Sequence, residues 1–220
     1  MKILIACEES QEVCKAMRKR GHEAYSCDIE FCSGKEPQWH IWQDVEPLLN
    51  GNTTFRTCNG ERHYIEKWDM IIAFPPCTYL TKAGATNLKK NGEINEERFQ
   101  KGIEAKLFFE KILNADCPRI CIENPVPMKI FNLPMPTQCI QPYYFGVPVS
   151  KKTYLWLKGL PLLCPTNVIE PTYTFSNFPQ FQNCNGKYRA KARSRTFTEV
   201  AEAMAESWGT TFADLKQQRS

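Results

Sequence analysis

The sequence predicts an α/β protein built on a mostly parallel sheet flanked by helices, and three features carry that reading. Apolar residues fill consecutive positions in segments 2–7, 68–74 and 119–122, as suits strands covered on both faces. The first segment is followed by an amphipathic stretch and then a further strand, which is a βαβ opening. Two of the buried strands stop in proline turns, Phe74-Pro75-Pro76-Cys77 and Glu123-Asn124-Pro125. Proline fixes the backbone and removes an amide donor, so neither strand nor helix continues through it. Cys77 and Glu123 are thereby placed at strand carboxyl ends, where open α/β sheets gather ligands and chemistry.

In chain order, residues 2–7 form the first strand and Glu8-Glu9-Ser10 the turn after it. Ser10, Gln11 and Glu12 begin a helix whose inner face carries Val13, Ala16, Met17 and the stem of Arg20, ended by Gly21-His22. Residues 23–27 are the second strand, with Asp28 at its end. An acidic residue about 20 positions beyond the first turn is placed to hold a ribose diol. The glycine-rich dinucleotide fingerprint is absent. Segment 39–49 has no clear period and contributes Asp44 near an element end. Segment 50–67 reads as a polar, turn-rich excursion. After Cys77, residues 81–97, with Gly84 and Gly92, are expected to form a mobile loop over the active edge. Residues 98–114 are the clearest helix, with Phe99, Ile103, Leu107 and Ile112 facing the sheet. Segment 127–148, rich in proline and aromatics, is expected to be irregular.

Residues 152–157 form a later strand with Lys151 and Lys152 at its mouth. Segment 164–185 is loop-like, with Tyr173, Phe175, Phe178 and Phe181 among polar groups. Lys187, Arg189, Lys191, Arg193 and Arg195 then recur at every second position. On an extended segment they form a one-sided rail suited to a phosphate backbone. A final helix spans 199–208, apolar at Val200, Ala203, Met204 and Trp208.

Composition narrows the class. The 220 residues are 42% hydrophobic, enough to fill one core, and contain no apolar run near the ~20 residues of a membrane span. The opening apolar stretch meets Glu8-Glu9 too soon for a signal peptide, so a soluble, cytoplasmic protein is expected. An odd count of 11 cysteines argues for a reducing compartment over a disulfide framework, and no CxxC pair supports zinc, so no metal is expected. The formal charge of +4 is uneven: residues 151–220 carry ten Lys and Arg against five Asp and Glu. That end is the candidate polyanion-facing surface.

The Pro-Pro-Cys turn, the Glu-Asn-Pro turn, the upstream βαβ unit and the late basic segment, in that order, resemble the DNA (cytosine-5) methyltransferases, most closely a short bacteriophage-type member. The resemblance spans nearly the whole chain and is specific in its Pro-Cys and Glu-Asn motifs. It implies a Rossmann-like class I methyltransferase fold: residues 1–150 as an S-adenosylmethionine-binding catalytic core, and 151–220 as a basic region that completes the core and contacts nucleic acid within one compact domain. Cys77 is then the nucleophile toward C6 of a cytosine flipped out of DNA, and Glu123 the acid at N3. Cys7, Glu8, Ser10, Asp28, Asp44 and Pro75 are implied for the cofactor. Asn124, Lys151, Lys152, Arg189, Arg193 and Arg195 are implied for the nucleic acid. A monomer, no membrane and, for a phage protein, the host cytoplasm complete the expectation. The chain departs from the family in its first turn, Cys7-Glu8-Glu9-Ser10-Gln11-Glu12, where the family is glycine-rich. The competing readings are the same C5 chemistry on RNA or a pyrimidine nucleotide, and a non-catalytic nucleic-acid-binding relative.

Overall fold

The structure, a computed structural model, describes residues 1–82, 88–90, 93–182 and 186–210. Its elements are β1 (Lys2–Ala6), α1 (Glu12–Lys19), β2 (Glu23–Asp28), β3 (His40–Trp42), β4 (Thr53–Arg56), β5 (Arg62–Ile65), β6 (Met70–Ala73), β7 (Lys89–Lys90) and β8 (Glu93–Ile94). These are followed by α2 (Glu96–Leu113), β9 (Ile120–Pro125), β10 (Gln138–Ile140), β11 (Val149–Ser150), β12 (Thr153–Lys158), β13 (Tyr173–Thr174), α3 (Pro179–Gln182), α4 (Gly186–Ser194) and α5 (Thr198–Trp208).

Seven strands form one sheet in the order β10-β12-β9-β6-β1-β2-β3. β1 pairs in parallel with β2 and β6, β2 with β3, and β6 with β9. β12 alone runs against its neighbours β9 and β10. The fold is therefore the expected Rossmann-like, mostly parallel sheet with flanking helices. From β1 the chain adds strands first on the β2 side and later on the β6 side. The strand order reverses between β1 and β6, and the crevice above their carboxyl ends is the place where such sheets take ligands.

Strand alternation divides the core. Ile3, Ile5, Met70, Ile72, Cys121 and Leu155 pack on α1 and α5, against Val13, Met17, Met204 and Trp208. Leu4, Ala6, Ile71, Ala73, Ile120, Ile122 and Trp156 face the other way, toward Phe109 and Ile112 of α2 and the β4–β5 hairpin. The Phe109 and Trp156 rings meet edge to face with centroids 5.0 Å apart, an arrangement worth about 0.5–1.5 kcal/mol beyond its area. Both β12 and α5, from the basic end of the chain, are thus part of the sheet and core that begin at Lys2.

Several expectations are corrected. Segment 39–49 supplies the edge strand β3. The excursion 50–67 is the antiparallel β4–β5 hairpin, whose Phe55 and Ile65 are buried and whose Phe55 stacks on Trp68. Segment 127–148 is not irregular throughout, since β10 extends the sheet beyond β12. On α2, Leu107 is 52% exposed; Phe109 takes the sheet-facing place, while Phe99 and Ile103 pack on a separate cluster of Leu80, Leu88, Met128 and Phe131. Arg20 is exposed, and Cys14 fills the inner face of α1 instead. The loop expected over 81–97 contains the β7–β8 pair; Gly84 and Gly92 lie outside the described residues. The basic rail is not extended: Arg189, Lys191 and Arg193 lie on α4. A two-residue step turns about 200° around a helix, so successive cations alternate between opposite sides, Arg189 and Arg193 on one and Lys191 on the other.

Candidate active site

Three short sequences converge on the crevice at the switch point. Cys7 ends β1 in a left-handed conformation, φ 59°, where the chain turns away from the sheet. Burial pushes its thiol up, and the Asp28 and Asp44 carboxylates push it further, which puts all three side chains within electrostatic reach of one another. Asp28, at the end of β2, accepts the Glu30 amide at 2.8 Å; Asp44, after β3, accepts the Glu46 amide at 3.0 Å. Burial is also the main cause raising the Asp28 carboxyl, with the charges of Glu30 and Glu9 adding to it. Beside these carboxylates Ile29, Phe31 and Trp42 are exposed, the last two in edge-to-face contact at 5.5 Å. The Trp42 indole donates to the Ile29 carbonyl at 2.9 Å, fixing the ring against the loop. An apolar platform next to two carboxylates suits a flat heterocycle carrying hydroxyl and amino donors. The sequence reading found the carboxylates and missed the platform; Trp42 in an aperiodic segment was its one signal.

The first turn explains its own glutamates. Glu8 is buried and turned inward, accepting the Val13 and Cys14 amides at 2.7 and 3.1 Å, so it caps the N-terminus of α1 from outside the helix. Burial outweighs those two bonds and raises its carboxyl to about 7. Glu12 is also buried and receives the Arg195 guanidinium and the Thr198 hydroxyl. Glu9 pairs with Lys191 at 3.2 Å. Ser10 is buried beneath the loop after β2, whose Ser33 amide donates to the Glu9 carbonyl at 2.9 Å. The loop passes so close that a Cβ on Gly34 would stand 2.5 Å from Gln11 Cβ. Of the residues implied for the cofactor, Cys7, Asp28 and Asp44 therefore lie together at the carboxyl ends of the strands. Glu8 and Ser10 are buried, as is Pro75 at the end of β6.

Beyond β6, Pro75 is buried, Pro76 exposed and Cys77 half-buried. The Cys77 carbonyl accepts the Leu80 and Thr81 amides at 3.2 and 3.1 Å, a turn that holds the thiol at the sheet edge. Arg98, near the start of α2, donates to the Thr78 carbonyl at 3.0 Å and lies over the Tyr79 ring, a clamp on this loop that the sequence did not suggest. On the neighbouring strand Glu123 is half-buried, and among the described residues no backbone or side-chain donor bonds to it; Lys151 Nζ stands 3.9 Å from its carboxylate. Burial raises the Cys77 thiol first and the Glu123 charge raises it next, while Lys151 and Thr81 lower it. Burial likewise raises Glu123, opposed by Lys151. Thiol, carboxyl and ammonium act as one electrostatic unit.

Asn124 follows Glu123 on a strand and so faces the opposite side of the sheet. It is 1% exposed, and neither its amide nitrogen nor its side-chain carbonyl oxygen has a partner among the described residues. A narrow cleft of about 40 Å³ opens beside Glu123, lined among others by Phe74, Thr153, Lys151, Arg195 and Phe197. Lys151 and Arg193 both stack on Phe175, at 4.6 and 5.0 Å, and bring the C-terminal aromatic cluster to its rim. The six residues implied for nucleic acid are thus divided. Lys151 and Arg195 line the cleft, Arg193 flanks it, Lys152 and Arg189 are exposed, and Asn124 is on the far face.

Among the described residues no group of three or more His, Cys, Asp and Glu is arranged to hold a metal ion, and no helix is long and apolar enough to cross a membrane. No family model and no curated protein matches the chain. Among solved structures it is similar to a protein described as a prophage-encoded DNA modification methyltransferase from E. coli, at 14% identity and TM-score 0.43 over 77% of this chain and 52% of that one. It is also similar to the Entamoeba histolytica methyltransferase EhMeth, at 13% identity and TM-score 0.39 over 84% and 60%. A third is a Spodoptera frugiperda DNMT2 variant, at 17% identity and TM-score 0.35 over 76% and 54%. The chain spans roughly half to three-fifths of the length of these structures. The first two are described as methyltransferases; the chemistry of the site in this chain rests on its own geometry.

Proposed function

We propose that this chain is an S-adenosylmethionine-dependent methyltransferase acting at C5 of cytosine in DNA, through a transient bond between Cys77 Sγ and C6 of the base. The observation that carries the reading is the Cys77–Glu123–Lys151 unit at the ends of adjacent strands β6 and β9, beside a cleft with a basic rim. Cytosine C5 is a weak nucleophile. Thiolate addition at C6, with a proton delivered to N3, turns the ring into an enamine whose electron density lies on C5.

The two sides of the crevice divide the work. Asp28 and Asp44 offer acceptors for ribose hydroxyls and an amino group, and Ile29, Phe31 and Trp42 a surface for a purine face, so the residues fit an adenosyl group. S-adenosylmethionine bound there supplies the electrophilic methyl group that C5 takes up before losing its proton. Raised by burial, Glu123 holds its proton more readily than an exposed carboxyl, which is the form that can donate to N3. A protonated Glu123 also withdraws the negative charge that keeps Cys77 a thiol, so the acid and the nucleophile are activated together. Lys151 stabilises charge as it develops on either partner. A base in duplex DNA must leave the stack to reach this edge, at a cost of a few kcal/mol, and the cations around the cleft favour a polyanion over a free nucleotide.

Trapping tests the reading. The protein is incubated with S-adenosylmethionine and DNA containing 5-fluorocytosine, and denaturation-resistant adducts are mapped by mass spectrometry, with Cys77→Ser as control. Fluorine cannot leave as a proton does, so C5 chemistry stalls as a covalent complex. An adduct at Cys77 that requires cofactor supports the proposal. An adduct on RNA alone overturns the DNA assignment. Binding of DNA with no adduct on either polymer overturns the enzyme reading.

A further inference from the structure

Two cysteines outside this chemistry meet across the rim of the fold. Cys32 lies in the loop after β2, and Cys58 in the turn between β4 and β5. The two thiols are near enough to affect each other's ionisation, although the segments that carry them are far apart in sequence. The loops are held in this relation independently of the sulfurs, through one residue. The ring Nε2 of His40 bonds to the Glu30 carbonyl at 3.0 Å, on the Cys32 side, and the His40 carbonyl accepts the Cys58 amide at 2.8 Å. His40 is itself fully buried and fixed at Nδ1 by the Ser26 hydroxyl at 2.9 Å. Accessibility is graded, Cys58 being half-exposed and Cys32 only 9% exposed.

Other thiols are engaged differently. Cys14, Cys27 and Cys117 donate to backbone carbonyls at 3.4–3.5 Å, and each is buried. Burial raises both thiols of the Cys32–Cys58 pair; at Cys32 the Glu9 charge adds to it and the Lys191 cation opposes it. A half-exposed thiol beside a sheltered one, on two segments already held together by His40, is an arrangement in which a mixed disulfide at the first can be resolved by the second.

We propose that Cys32 and Cys58 form a reversible disulfide that staples the loop after β2 to the β4–β5 hairpin. The oxidant is a small-molecule disulfide such as oxidised glutathione. The Cys58 thiolate attacks one sulfur of that disulfide, forming a mixed disulfide and releasing one glutathione thiolate. The Cys32 thiolate then attacks Cys58 Sγ and displaces the second glutathione. The two protein thiol protons end on the two glutathiones, and the protein has lost two electrons. The bond would fasten the segment bearing Ile29, Phe31 and the Asp28–Glu30 turn, and it does not depend on what binds there.

The test uses the full chain, native, in an oxidised-to-reduced glutathione series, followed by acid quenching and peptide mapping. The expected product is a Cys32–Cys58 linked peptide that reverts on adding reduced dithiothreitol, with Tm raised by about 5 °C or more. In Cys32→Ser the linked peptide disappears and Cys58 accumulates as a glutathione adduct. Cys58→Ser leaves Cys32 largely unmodified because of its burial. The proposal is overturned if wild-type Cys58 stops at the glutathione adduct with Cys32 reduced, or if the linked peptide forms only in denaturant. Neither result bears on trapping at Cys77, so the two proposals fail separately.

Discussion

The electrostatic unit at the sheet edge makes a prediction with opposite signs for two substitutions. Replacing Glu123 by Gln removes the charge that raises the Cys77 thiol, so Cys77 should ionise more readily although methyl transfer is lost. Replacing Lys151 by Met removes the cation that favours the thiolate. Lys151→Met alone is ambiguous, however. It also protonates Glu123, and so withdraws the very charge that opposes Cys77. The clean comparison is therefore Glu123→Gln against Glu123→Gln/Lys151→Met.

The scale follows from the one separation that fixes the unit, 3.9 Å between Lys151 Nζ and Glu123. At an effective dielectric constant of 20, unit charges that far apart interact by about 4 kcal/mol. Both side chains retain some solvent contact, 23% and 17%, which reduces this to roughly half. A charge effect of about 1.4 kcal/mol on Cys77 is tenfold in thiolate at a pH below its titration. Iodoacetamide alkylation of Cys77, followed by peptide mapping to separate it from the other thiols, reads that fraction directly. Glu123→Gln should alkylate roughly five- to tenfold faster than wild type, and adding Lys151→Met should slow it by a similar factor. Unchanged rates in Glu123→Gln, or acceleration by the second substitution, would refute the coupling on which the proposed mechanism depends.

Three other outcomes are expected. Arg195→Ala leaves Glu12 buried without its main partner and should cost about 2 kcal/mol in urea unfolding near neutral pH, allowing for the half-exposure of Arg195. Burial works against ionisation of Glu12, but Arg195, Thr198 and Lys15 together hold it below the usual carboxylate range. That stabilisation is present above the unfolded value and is lost as pH falls through the folded one, so the two proteins should converge in acid. Glu8 behaves in the opposite sense: raised to about 7 in the fold, it contributes stability below about 4.5 that disappears as pH rises through 7, on the order of 3 kcal/mol. Glu8→Gln should flatten that part of the stability profile, and an unchanged slope would show that the two amide bonds outweigh burial. Trp42→Ala, at a 61% exposed position, should leave stability within about 0.5 kcal/mol and weaken S-adenosylmethionine binding about tenfold by calorimetry; unchanged affinity would remove the platform from the cofactor side.

How much was legible from the sequence depended on which physical signal each element carries. β1, β6 and β9 are covered on both faces and read as continuous apolar runs, and the prolines after β6 and at the end of β9 marked Cys77 and Glu123, although Glu123, Asn124 and Pro125 prove to be paired residues of β9 and not a turn beyond it. β3 and β10 are three residues long and draw their stability from the strand beside them, so no local period announces them. The β4–β5 hairpin looked like a polar loop because only Phe55 and Ile65 among its strand residues are buried. α4 was misread for a different reason. Its alternation is of charge, not of hydrophobicity, and a charge period does not choose between strand and helix, whereas its Lys, Arg and Ala content favours helix. Arg98 and Phe175 were invisible as site residues because their partners, the Thr78–Tyr79 loop and Lys151, are distant in sequence.

The unusual first turn and the basic C-terminal segment prove to be one feature. A glycine-rich turn lets a ligand approach backbone amides, whereas here three glutamates occupy that stretch and each is engaged within the chain. Glu8 holds the α1 amides, Glu12 takes Arg195, and Glu9 takes Lys191, which also reaches Glu30 at 3.9 Å. Carboxylates that would repel a polyanion near the crevice are thereby matched by cations from α4 and the residues after it. The same pairing reduces what those cations can offer a phosphate backbone. Lys191 and Arg195 would have to exchange a carboxylate for a phosphate, a trade in which little is gained, while exposed Lys152 and Arg189 make no such exchange. Counting cations in the sequence therefore overstates the number of counterions that DNA binding would release. The salt dependence of affinity should report the smaller set, with a slope of about 0.9 per phosphate neutralised.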